Sequence, residues 1–188
     1  MPKNPRLPPG QRWISEFPVR TVERSPPVFN PDTWTLTIDG EVDTPLTLSY
    51  AELRALPTTT QTSDFHCVEG WSVPDNRWEG IRLNVLAARV RPRPHALYVT
   101  FHAEHGYASG IPLEMALADD VLLAWSRNGT NLSVDDGWPL RLVVPRLYAY
   151  KSVKWVRRIT FTQDVELGYW EQRGFHQEAD PWREQRTS

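Results

Sequence analysis

Seventeen prolines run through this chain of 188 residues, against ten glycines, and they interrupt most stretches in which a long helix could propagate. Proline fixes its own φ, lacks a backbone N–H and disfavours helix in the residue before it. With nine tryptophans for apolar packing, the composition implies a strand- and loop-rich fold with rigid connections and an aromatic core. The length fits one domain that can fold without disulfides. A formal net charge of −2 speaks against a nucleic-acid or anionic-membrane surface, so anion recognition has to be local. Met1–Gln11 shows neither the apolar run of a secretory signal nor a twin arginine, and no window reaches the ~20 apolar residues of a membrane span. A cytoplasmic protein with no membrane partner is expected.

The order of elements reads as mixed α+β, strands dominating and helices short. Residues 1 to about 33 are proline-rich and aperiodic, extended chain that Trp13 and Phe17 could anchor. Strands are expected at Trp34–Ile38, Leu46–Leu48, Thr58–Cys67, Ala96–His102, Val121–Trp125, Leu140–Val144 and Val153–Phe161. Ser49 and Glu52 have capping-box spacing ahead of a two-turn helix closed by Pro57, and Leu83–Ala88 reads as a second short helix. Gly70–Gly80 and Ala103–Gly110 read as loops, and Asn128-Gly129 as a turn.

Cys67 is the only cysteine. It excludes an internal disulfide and any multi-thiolate zinc site. Placed where a strand gives way to a polar loop at Gly70, its side chain points toward a cleft, where a thiolate serves as nucleophile or soft metal ligand; the alternative is a small buried hydrophobe. A second cluster, Arg141, Arg146, Lys151 and Lys154, lies between two apolar strands around Gly137 and Pro145. It suits a phosphate or another oxyanion, the alternative being a solvated basic rim. His66, His102 and His105 lack metal-site spacing. No G-x-S-x-G, Walker A or G-x-G-x-x-G motif occurs.

These residues in order resemble the sulfite oxidase family of molybdopterin enzymes: Phe65-His66-Cys67 with Gly70-Trp71-Ser72, Trp78-Glu79-Gly80-Ile81, Ile111-Pro112-Leu113, Val121–Ala124 with Asn128-Gly129, Gly137–Pro145, and Lys151–Trp155. The resemblance covers roughly residues 13–182, leaving 1–12 as a flexible proline-rich tail and 183–188 as a C-terminal tail. The segment Gly168–His176 with Asp180-Pro181-Trp182 is similar to small bacterial members that consist of the molybdopterin-binding domain alone. The resemblance implies a sulfite-oxidase-type fold of strand-rich mixed sheets. It implies Cys67 as the one protein ligand to molybdenum, the remaining sulfur coming from the pterin. It places His102, Asp136, Arg141, Ser152, Val153 and Lys154 at cofactor-holding positions, with Val19, Arg20 or Thr21 as further pterin contacts.

The chain also departs from that pattern. Trp125 stands where sulfite oxidases carry an active-site tyrosine, Asp136 where histidine or asparagine is common, and Val68-Glu69-Gly70-Trp71 replaces an arginine-rich loop. A pocket bordered by Trp71, Trp125 and Tyr107 has little fixed positive charge, which points away from sulfite. The expected activity is two-electron oxygen-atom transfer on a small molecule, with an unidentified redox partner and a monomeric or weakly homo-oligomeric state; Tyr107 and His66 are candidates for moving protons. The competing readings are an enzyme with Cys67 as nucleophile, activated by His66 or His102, and a non-catalytic ligand-binding domain.

Overall fold

A computed structural model of the chain describes residues 6–188. Along it run β1 (Arg12–Trp13), β2 (Thr35–Gly40), β3 (Leu46–Ser49), α1 (Tyr50–Arg54), β4 (Thr59–His66), β5 (Trp71–Arg82), α2 (Leu83–Val90), β6 (Tyr98–Ala103), β7 (Ala108–Pro112), α3 (Leu113–Ala116), β8 (Leu122–Arg127), β9 (Thr130–Asn131), β10 (Arg141–Val143) and β11 (Val156–Thr162). The strands form two sheets. One is five-stranded in the order β3-β2-β11-β6-β7, with only the β2–β11 pair parallel. The other is six-stranded and built on β5, which pairs with β4 along most of its length, with β1 at its first two residues and with β8 at its last five; β8 continues to β10 and β9. The short helices match the sequence. In α1 the Ser49 hydroxyl accepts from the Glu52 N–H (3.3 Å) and the Glu52 carboxylate from the Ser49 N–H (2.8 Å), the reciprocal cap that its spacing requires.

Both faces of the six-stranded sheet are buried, and side-chain alternation decides what each residue can reach. On one face, Ile81, Leu123, Trp125 and Leu142 join Leu36, Ile38, Val99, Phe101, Ile159 and Phe161 of the other sheet in the larger core. On the opposite face, Phe65, Trp78, Leu122, Ala124 and Val143 form a smaller cluster that includes Cys67 and Trp71. Arg141, two residues before Val143 on β10, shares the smaller cluster's side.

Two expected loops are strands. Gly70–Gly80 holds most of β5, because pairing with β4 on one side and β8 on the other overrides its turn-prone Pro74, Asp75 and Asn76. The ladder shifts register between Ser63 and Phe65, and this irregularity takes up Pro74 and Asp75; Asp75, at φ 54°, donates its N–H to the Asp64 carboxylate at 3.0 Å. Ala103–Gly110 contains the start of β7, which returns against β6 as a hairpin. Conversely β11 starts at Val156, so Val153–Trp155 precede the strand.

The described parts of the expected tails are held against the domain. Residues 1–5 of the expected tail lie outside the described part, but Arg6 pairs with Asp64 and Asp75, and β1 begins at Arg12. Within 183–188, Arg186 donates to the Val68 and Gly10 carbonyls, and Ser188 donates its N–H to Gly174 (3.0 Å). Backbone carbonyls of the domain recruit these segments, a signal that composition does not carry.

Candidate active site

Cys67 follows β4 directly and opens a tight turn into β5. Its N–H donates to the Trp71 carbonyl (2.9 Å) and its carbonyl accepts from the Gly70 N–H (3.0 Å). Gly70 closes the turn at φ +89°, a conformation that favours glycine. The turn sets Cys67 in the wall of a cavity of about 260 Å³. The thiol is buried, only 7% of the residue being exposed, and burial pushes its pKa up to about 11.

Arg141 and Lys154 line the same cavity. Arg141 is 5% exposed, and its guanidinium sits against the rings of Phe65 (4.8 Å), Phe17 (5.4 Å) and Trp78 (6.0 Å). It donates through Nη1 to the Asp136 carbonyl (2.9 Å), while its Nε has no partner. Burial lowers its pKa to about 10. Lys154 donates to the Asp135 carbonyl (2.8 Å), and burial, then the nearby Arg141 charge, lowers it to about 8. A buried Arg141 and a half-buried Lys154 that lean on carbonyls instead of carboxylates are costly unless an anion enters. Gly137 lets them approach: at φ +112°, a Cβ there would lie 3.1 Å from both the Arg141 and Lys154 Cβ atoms. Asp136 and Ser152 also face the cavity; the Asp136 carboxylate accepts from the Ser133 hydroxyl (2.9 Å), and the Ser152 hydroxyl from the Val144 N–H (3.1 Å).

Residues Phe17 to Glu23 form a further wall, including Val19, Arg20 and Thr21. Arg20 pairs with Glu69 (2.9 Å), and Trp71 donates its indole N–H to the same carboxylate (2.9 Å). Arg20 therefore neutralises the acid nearest the thiol. Tyr107 lines the cavity with its hydroxyl donated to the Tyr150 carbonyl (2.5 Å), and burial holds its pKa well above the usual phenol value. Tyr150, Trp170 and Phe175 complete the wall. The sequence reading gave these three no role; Trp170 and Phe175 belong to a segment with no strand or helix period.

Several expected site residues lie elsewhere. Trp125 has the parity of Leu123, so its ring enters the larger core, with Arg54 over it at 4.4 Å and its indole N–H on Glu79 (3.1 Å). His102 alternates with core residues Phe101 and Ala103, and its Nε2 meets the Thr160 hydroxyl (3.2 Å) beside Asp39 and Arg158. Val153 is packed in the core, its carbonyl taking the Leu142 N–H (2.8 Å). Lys151 is fully buried and ion-paired with Glu171, which removes it from the anion-binding cluster. Arg146 pairs with Asp120 at the surface (2.7 Å).

His66, the last residue of β4, does not line the cavity that Cys67 enters. Its Nδ1 meets the Ser72 hydroxyl at 2.8 Å, and burial lowers its pKa from 6.5 to about 4. Because the folded state holds the neutral ring, this group's contribution to stability is present above pH 6.5 and is lost as pH falls toward 4. Urea denaturation should show a loss on the order of 3 kcal/mol across that window, from ~1.4 kcal/mol per pKa unit. The His66→Gln variant should flatten the curve.

Neither histidine proposed as a base for Cys67 lines the cavity, and a thiol raised to about 11 is a weak nucleophile. Among the described residues no group of three His, Cys, Asp or Glu side chains is arranged to hold a metal. A metal at Cys67 would thus take its other ligands from a cofactor. Molybdopterin fits this donor set: a soft thiolate in the cavity wall, and in the same cavity Arg141, with an unpartnered Nε, and Lys154 for a phosphate.

The family described as "Oxidoreductase molybdopterin binding domain" matches residues 23–170. The chain is 41% identical over 181 residues to the uncharacterized oxidoreductase YuiH of Bacillus subtilis, covering 96% of this chain and 91% of that protein. It is 30% identical over 177 residues to the protein-methionine-sulfoxide reductase catalytic subunit MsrP of Campylobacter jejuni, covering 81% of this chain and 59% of that one. Among solved structures, the sulfane dehydrogenase SoxCD of Paracoccus pantotrophus superposes with a TM-score of 0.67 at 26% identity, over 73% of this chain and 40% of that one.

Proposed function

The chain belongs to the oxidoreductase molybdopterin-binding domain family, and on that premise we propose that it reduces a small neutral oxide, a sulfoxide in the first instance, by oxygen-atom transfer. The observation that carries this reading is the charge around Cys67. Glu69 is the acid that acts on the thiol and Arg20 balances it, while the cations without a carboxylate partner are engaged with backbone: Arg186 with Val68 and Gly10, Arg141 with Asp136 and Lys154 with Asp135. With Arg141 and Lys154 taken up by the cofactor phosphate in this reading, and Arg20 by Glu69, an anion such as sulfite would find little positive charge to spare beside the thiol, whereas a neutral S=O group with apolar substituents would suit walls of Trp71, Phe17 and Tyr107. The name of the relative MsrP supports the same substrate class.

In this reading Cys67 would ligate molybdenum, and Arg141, Lys154, Ser152 and the Asp136 segment would hold the pterin and its phosphate. The bound cofactor supplies two-electron chemistry in which R₂S=O, two electrons and two protons give R₂S and water. The protein's part is positional. Trp71, fixed through its indole by Glu69, and the Phe17–Glu23 segment limit water at the cavity, and Tyr107 keeps its proton on the Tyr150 carbonyl. A separate redox partner would deliver the electrons.

The test uses protein purified from a host that makes the molybdenum cofactor. With reduced methyl viologen as donor, sulfoxides should turn over, and sulfite oxidation with ferricyanide should be at least about 100-fold lower in kcat/KM. A preference for sulfite overturns the proposal.

A further inference from the structure

Behind the cavity lies a buried ion pair that the proposed chemistry does not use. Lys151 and Glu171 are paired with almost no side-chain exposure. Lys151 Nζ also donates to the Gly110 carbonyl (3.0 Å), and the Ser109 hydroxyl donates to Glu171 Oε1 (2.8 Å), whereas Glu171 Oε2 has no partner among the described residues. Apolar residues of similar volume often serve stability as well as a buried ion pair, so one that leaves an oxygen unsatisfied calls for another role. Its neighbours in the chain supply one. Lys151 lies between Tyr150 and Ser152, Glu171 directly follows Trp170, and all three of these flanking residues line the cavity. The pair therefore ties the wall formed by residues 168–175 to the segment that carries Ser152. Gly168 permits the close docking: the Tyr169 N–H donates to the Ala108 carbonyl (2.9 Å), and a Cβ on Gly168 would lie 2.3 Å from that oxygen.

The wall itself is made of rings. Trp170 and Phe175 meet at 4.8 Å, and Tyr150 meets Phe175 edge-on at 5.4 Å. Tyr107 and Tyr150 donate their hydroxyls to the Tyr150 and His176 carbonyls (2.5 and 2.6 Å), which leaves ring surface for the cavity. Phe175 is also close to the Cys67 turn, since its backbone bridges to Thr187 and the adjacent Arg186 holds the Val68 carbonyl.

We propose that Trp170 and Phe175 set the size of the sulfoxide substituent that the enzyme accepts, and that the buried Lys151–Glu171 pair is the positioning device that keeps them in place. The inference rests on the sulfoxide reading. There Cys67 is taken by the metal, and Arg141, Lys154, Ser152 and the Asp136 segment by the pterin, so the rings at 170 and 175 are left for the apolar substituents of the substrate. A wall excludes a bulky group only if it cannot yield, and the pair behind it supplies that resistance.

The test uses cofactor-loaded protein with reduced methyl viologen and compares kcat/KM for methyl naphthyl sulfoxide with that for dimethyl sulfoxide. Trp170→Ala and Phe175→Ala should each raise the naphthyl-to-dimethyl ratio at least about 10-fold. Lys151→Met combined with Glu171→Leu should raise it by about 3-fold or more. Without cofactor, this double variant should melt no lower than the parent, while amide hydrogen exchange at Gln172–Phe175, whose N–H groups bond to carbonyls of residues 168–171, should quicken at least about 10-fold. A lower melting temperature with the parent's ratio and local exchange marks a merely structural pair and overturns the positioning role. If the double variant does not fold, Glu171→Gln, which keeps an acceptor for Lys151 and loses the charge, must shift ratio and exchange the same way by less. Parent values there overturn that role as well. A parent that reduces no sulfoxide defeats the function premise; a parent that does, with an unmoved ratio in Trp170→Ala and Phe175→Ala, defeats this proposal alone.

Discussion

Replacing Arg141 by methionine is expected to stabilise the cofactor-free protein and abolish its ability to retain molybdopterin. In the free protein the guanidinium is charged and buried, with a carbonyl for a partner and Nε unsatisfied. Burial lowers its pKa from 12.5 to about 10, so at neutral pH the folded state carries a penalty of about 3 kcal/mol for this charge. The sign follows from the direction: the penalty is fully present below the folded value and fades only as pH rises from about 10 to 12.5. Methionine fills similar volume against Phe65 and Phe17, gives up one hydrogen bond, and removes the charge. The net gain should be about 1–3 kcal/mol, or roughly 5 °C in thermal midpoint for a domain of this size. Differential scanning calorimetry of cofactor-free protein reads the gain, and pterin fluorescence after release from protein made in a competent host reads the loss. A cofactor-free variant less stable than the parent would show that Arg141 belongs to the structural core and not to an anion site.

The sequence made Cys67, Arg141 and Lys154 legible because each combines an unusual residue type with a local constraint: one thiol at a strand end, and basic residues trapped between apolar strands around Gly137. It misplaced Trp125 and His102 because a resemblance fixes position along a strand, while the cavity depends on which face that position takes. Alternation could have corrected both, since Leu123 and Phe101, the apolar neighbours that set parity, are readable in the sequence. The strand β5 was hidden for another reason. Pro74, Asp75 and Asn76 carry turn chemistry, and only pairing with β4 and β8, which is non-local, makes that stretch extended. The clamp on the Val68 carbonyl joins residues 118 apart, and Lys151 was drawn into the cationic cluster because its partner Glu171 lies in an aperiodic segment. Long-range partners of this kind have no signature in spacing.

Cys67→Ser should separate metal retention from pterin retention. Serine is close in size, and its hydroxyl, placed among Phe65, Trp71 and Val73, costs about 1–3 kcal/mol if unpaired, which leaves a folded protein. A buried hydroxyl holds its proton far more firmly than a thiol, and an alkoxide is a hard donor where the site offers a soft one. Molybdenum content, read by mass spectrometry of the metal, should fall to near zero, and turnover to below about a thousandth of the parent's. Pterin should persist in part, because Arg141, with its unpartnered Nε, and Lys154 still face the cavity and can meet its phosphate. Arg141→Met removes that anchor, and because the metal's other ligands come from the cofactor it should lose pterin and metal together, whereas Cys67→Ser should lose the metal and keep part of the pterin. Full molybdenum in Cys67→Ser, with turnover lost, would instead make the thiol a nucleophile and return the enzyme to the class that the distant histidines argue against.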